Sequence, residues 1–88
     1  MKEIIEFDGR VYQLVGHYSS WPTLRTPGGR PASGWVRKPP AEPPTFSYRT
    51  WERVEIPGIA GAAYCRHPWI LVIVSNSDHE ERYYYQKV

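Results

Sequence analysis

The chain has a single cysteine, so no disulfide can form within it, and the bridge-stapled class of small secreted domains is excluded. A reducing cytoplasm is the setting this predicts. No apolar run approaches the roughly 18 residues of a membrane-spanning helix. Met1-Lys2-Glu3 leads directly into a short strand-like segment, where a signal peptide would carry its apolar stretch. A soluble, unprocessed protein without a membrane partner is expected. Size is lacking too, because 88 residues hold one small domain, 1–88, and exclude a two-domain enzyme. Neither sign of charge dominates, the net being +2. With 41% hydrophobic and 23% charged residues, the chain fits neither collagen nor full disorder.

Aromatic residues and prolines are what it has in quantity. Seven Tyr, four Trp and two Phe must supply much of the buried area of so short a chain. Seven of the nine prolines, at 22, 27, 31, 39, 40, 43 and 44, fall in the middle with Gly28, Gly29 and Gly34. Proline removes ladder donors and glycine weakens strand interiors, so 19–45 reads as a long Pro/Gly-rich loop with at most a short strand around Trp35-Val36-Arg37. Loops of that length in compact domains tend to be functional or disordered. Charge concentrates in the same place. Residues 1–16 carry a net −1, residues 17–51 a net +4 and residues 52–88 a net −1.

The flanks read as β. Glu3–Phe7 and Val11–Val15 bracket Asp8-Gly9, a dipeptide suited to the positive φ angles of a two-residue hairpin turn. The turn sets Phe7 opposite Arg10, Ile5 opposite Tyr12 and Glu3 opposite Leu14, which gathers Phe7, Ile5, Tyr12 and Leu14 on one core face. Ile4, Val11 and Val15 fall on the other. From Phe46 to Ile56 the alternation puts Phe46, Tyr48, Val54 and Ile56 on one side and Ser47, Arg49, Trp51, Arg53 and Glu55 on the other, with a helical spacing of Tyr48, Trp51 and Val54 as the competitor. Trp69–Val74 is the most apolar run, β-branched and short, and predicts a central strand covered on both faces. Ser75–Glu81 is a polar loop, and Arg82–Val88 returns as its partner strand. The predicted fold is all-β, a small antiparallel sheet or partly open barrel of about five strands.

Chemistry-bearing constellations are few. Cys65 and His67, two apart on an extended chain, would share a face, but a small buried Cys beside a core strand explains them more simply. His17, His67, His79 and Cys65, with Asp78 or Glu80, lack the spacing of a zinc site, so no metal or other cofactor is expected. Pro27-Gly28-Gly29-Arg30-Pro31 lacks the donors and following helix of a phosphate cradle. Arg37-Lys38-Pro39-Pro40-Ala41-Glu42-Pro43-Pro44 has the general form of an SH3-type ligand, with a stiff connector as the plainer reading.

Two binding readings remain. Aromatics and cations on a small β scaffold suit single-stranded nucleic acid, yet a net +2 is well short of the usual basic footprint, and no RNP-like motif is present. Trp, Tyr and Arg are also the residues that anchor protein interfaces. The favoured expectation is a non-enzymatic protein-binding module, a small inhibitor or adaptor such as a phage or mobile element carries. Its partner contact would come from Trp21, Arg25, Arg30, Trp35, Arg37, Lys38, Arg49, Trp51 and Arg53.

Overall fold

The computed structural model describes residues 1–25, 28 and 31–88, and of residues 22–25 and 31 the backbone alone. Its described residues form seven strands and no helix: β1 (Ile4–Phe7), β2 (Arg10–Arg25), β3 (Pro31–Arg37), β4 (Glu52–Val54), β5 (Ala62–Arg66), β6 (Trp69–Ser75) and β7 (Glu80–Lys87). All pairings are antiparallel, in the order β1-β2-β7-β6-β5-β4, and β3 joins β2 on the same edge as β1. β2 is therefore the spine. Its first half holds β1, its second half holds β3, and its other edge holds β7 along most of its length.

The first hairpin forms as its turn dictates. Asp8 and Gly9 both take positive φ, 53° and 72°, and the ladder sets Phe7 opposite Arg10 and Ile5 opposite Tyr12. Leu14 donates its N–H to the Glu3 carbonyl at 2.8 Å, which completes the register. β6 is covered on both faces because its side chains alternate between two cores. Ile70 and Val72 join Ile5, Tyr12, Leu14, Ile56, Ala63 and Tyr85 on the first face, while Leu71 and Trp69 join Trp51 and Tyr84 on the second. The sheet curls into a half-barrel around the first core. Curling brings Ile56, just after β4, into the cluster that holds Ile5 of β1, and Tyr85 ties the same corner by donating its hydroxyl to the Lys2 carbonyl at 2.6 Å.

Two sequence expectations need correction. Residues 19–45 are not one long loop, since β2 continues through Arg25 and β3 pairs with it from Pro31 to Arg37. Proline is tolerated because of where it falls: Pro22 lies beyond the last β2–β7 pair, Ser20 with Glu80, and inside the register shift between Trp21 and Arg25, so its missing N–H breaks no ladder. The strand expected from Phe46 to Ile56 shrinks to Glu52–Val54. Before it, Thr50 and Trp51 both donate to the Ser47 carbonyl, and this single turn rotates Trp51 into the second core.

Candidate interaction surface

On the second face, the β2–β3–β7 end carries a wall of aromatic and polar side chains. Antiparallel partners point the same way, so Trp35 of β3, Tyr18 of β2 and Arg82 of β7 line up across three strands, with Ser20 and Glu80 one step along. Trp35 meets Tyr18 edge to face at 5.2 Å and 84°, and Tyr84 at 5.5 Å and 53°. These rings, with Ser20, Glu80 and Arg82, line a cleft of about 290 Å³. Arg82 is held there by the Glu80 carboxylate at 2.5 Å and by the Phe46 ring, 5.5 Å beneath its guanidinium carbon. Trp35 also lines a second cleft, of about 340 Å³, whose other walls are Lys38, Pro39, Pro40, Glu42 and Pro43. The indole thus stands as a partition between an aromatic hollow and a proline-lined one, 39% exposed.

The proline segment is anchored at one residue, Pro39. Pro39 is buried over Gly16, where an added Cβ would meet its ring at 3.0 Å, and Arg37 is engaged with Glu3 at 3.2 Å and with the Leu14 carbonyl. Of the residues that give the segment its SH3-ligand form, Arg37 is engaged by Glu3, while Pro40 is exposed and Pro43 half-buried along the second cleft. The Glu3 carboxyl sits below its ordinary range because Arg37 hydrogen-bonds to it.

The first face ends in a polar cluster. Glu81 accepts from the Ser19 hydroxyl and pairs with His17 Nε2 at 2.7 Å, and Trp21 donates its indole N–H to Ser19 Oγ at 3.0 Å. Trp21 stacks on His79 at 4.0 Å, and His17 on Tyr83 at 4.3 Å. Burial alone would raise the Glu81 carboxyl, but the Ser19 and His17 hydrogen bonds and the nearby imidazoles hold it below its ordinary value. Ser19 hydrogen-bonds the Glu81 carboxylate and not an imidazole, and the cluster ties β2 to β7.

The residues expected to form one contact face are dispersed. Trp35 and Lys38 border the second-face clefts, whereas Trp21 is on the first face, 37% exposed. Trp51 is the clear correction. It is only 3% exposed, packed among Trp69, Leu71, Tyr84 and Phe46 with its indole N–H donated to the Thr45 carbonyl at 3.1 Å. Arg49 is exposed at the turn that buries Trp51, and Arg53 is occupied by the Val54 and Ala63 carbonyls and by Glu55. Arg25 ends β2 with its side chain outside the described residues, and Arg30 lies outside them altogether. Tyr18, Arg82 and Tyr84 were missed. Period-2 alternation in Glu80–Tyr85 held the signal, since it separates Glu80, Arg82 and Tyr84 from Glu81, Tyr83 and Tyr85.

Other constellations stay apart. Burial pushes the Cys65 thiol up, which makes it a poor nucleophile at neutral pH, and His67 lies exposed in the following turn. Among the described residues no three His, Cys, Asp or Glu side chains gather as a metal set, and no helix is long and apolar enough to cross a membrane. Comparison with protein-family models, with curated proteins and with solved structures found no match.

Proposed function

We propose that the chain is a non-enzymatic protein-binding module, a small cytoplasmic inhibitor or adaptor of phage or mobile-element type, whose partner contact centres on Trp35. The observation that carries this reading is the position of that indole, half out of the fold between two clefts and backed by Tyr18, Tyr84 and Arg82. Interface hot spots favour a rigid Trp or Tyr beside an Arg, because such groups desolvate a large area at small entropic cost. A wall already packed on its inner side contributes that pre-organisation.

Net charge favours protein over nucleic acid as the partner. The chain carries only +2, and Arg10, Arg37, Arg53 and Arg82 each pair with a carboxylate, at 3.1, 3.2, 3.5 and 2.5 Å. A phosphate backbone is usually met by a strong basic footprint, since counterion release drives that binding. The test is affinity purification from the native host with the wild-type chain and the Trp35→Ala variant as paired baits, alongside a low-salt shift with a single-stranded oligonucleotide. A protein retained by the wild type and lost with Trp35→Ala supports the reading. Identical captures, or a salt-sensitive oligonucleotide shift in their place, overturn it.

A further inference from the structure

Three strands in the described residues have a free edge, and two of them are guarded. β1 is four residues long with Glu6 inside it and Lys2 and Glu3 just before it. β4 is three residues long, begins Glu52-Arg53, and has its Val54 carbonyl covered by the Arg53 guanidinium. Short length, charge and occupied carbonyls are how sheet edges avoid joining other sheets. β3 has none of these over its middle. Ala32-Ser33-Gly34-Trp35-Val36 contains no charge, runs in a seven-residue strand, and pairs only with β2. It also carries two of the chain's exposed large hydrophobics, Trp35 and Val36, the latter 66% exposed, and Trp21 sits opposite Ala32 on β2.

We propose that β3 pairs with β3 of a second copy of this chain, antiparallel about a two-fold axis at Gly34, joining two half-barrels into one continuous sheet. An uncharged edge is better matched by a strand whose middle is also uncharged, and the chain's own β3 is such a strand from Ala32 to Val36. The sequence around the axis is self-complementary in size. With Gly34 opposite itself, Trp35 falls opposite Ser33 of the second copy and Val36 opposite Ala32 of the second copy, so each large side chain meets a small one. Val36 has no partner on β2, because the register shifts between His17 and Tyr18, and this pairing covers it. The Trp35 clefts stay open and come to flank the axis, which makes the assembly bivalent; the inference does not rest on what those clefts bind.

The axis gives a position-specific test. A Cβ built at Gly34 has nothing within 4 Å, so a side chain there leaves the subunit fold intact. Opposed residues in an antiparallel pair have Cα atoms about 4.5–5.5 Å apart, within the span of a disulfide. Sedimentation velocity from about 1 µM to about 1 mM should show the full-length chain moving from one mass to twice that mass. Gly34→Cys in a Cys65→Ser background should cross-link rapidly under mild oxidation, while the exposed control Glu42→Cys should not. Gly34→Lys, which sets two ammonium groups face to face, should lose the dimer and keep its circular dichroism spectrum. A monomer across the whole range overturns the proposal, as does a dimer that Gly34→Lys leaves intact or that Gly34→Cys cross-links no faster than the control.

Discussion

Trp51 and Trp35 have the same side chain in opposite situations, and truncating each measures what the fold does with an indole. Trp51 is 3% exposed against Trp69, Leu71, Tyr84 and Phe46. Removing a buried Trp typically costs about 3–5 kcal/mol through lost transfer energy and the cavity left behind. The hydrogen bond to the Thr45 carbonyl adds about 1 kcal/mol. A chain of this length has a stability on the order of 4–13 kcal/mol, so Trp51→Ala consumes a large part of it. At about 4–8 °C per kcal/mol, the midpoint falls by roughly 15–50 °C. Trp35 is 39% exposed, so Trp35→Ala forfeits only its buried portion, about 1–2 kcal/mol. Urea titration of both variants by circular dichroism reads the difference as a shift in midpoint at constant slope. Trp51→Ala within about 1 kcal/mol of the wild type, or Trp35→Ala the more damaging of the two, would refute the division of labour between these residues.

Three further outcomes follow from particular contacts. Gly61 has a φ of 101°, and a Cβ there would stand 2.5 Å from the Ile73 carbonyl oxygen, so Gly61→Ala should cost at least about 1–3 kcal/mol in a thermal melt. Glu81 has its folded pKa below the ordinary 4.5, so its stabilisation is present above that value and is lost as pH falls through the folded pKa; stability of Glu81→Gln, measured by urea midpoints from neutral pH down to pH about 3, should fall less steeply on the acid side. Tyr85 has its phenol pushed up to about 12, first by burial and then by Glu3 and Tyr83, so the unfolded chain ionises first, near 10, and stability should decline between about 10 and 12. Tyr85→Phe should flatten that alkaline limb while lowering stability at neutral pH, through loss of the hydrogen bond to Lys2.

Elements specified by local chemistry were legible in the sequence. Asp8-Gly9 set both turn and register, and the β-branched run from Trp69 located the strand that both cores share. What was not legible depended on contacts distant in sequence. Proline in 19–45 argues against strand on propensity alone, yet Pro22 sits where no ladder bond is asked of it, and β7 and β3 hold the rest of β2 from either side. Trp51 misled for a related reason. Strict alternation from Phe46 places it beside Arg49 and Arg53 on an outer face, and a turn closed on the Ser47 carbonyl sends it inward. The aromatic wall was hidden until β2 and β7 were side by side, because Tyr18 and Tyr84 are 66 positions apart in the chain.

β7 lies between β2 and β6 at the middle of the order, although it follows both of them in the chain. While residues 80–87 are still inside the ribosome, β2 has only its hairpin neighbours and β6 only β5, and each apolar core is missing a Tyr. Productive folding therefore waits for release of that strand. A nascent chain stalled before it should remain open to proteases and to chaperones, and inserting it is the step that converts two separate hairpin arrays into one protein.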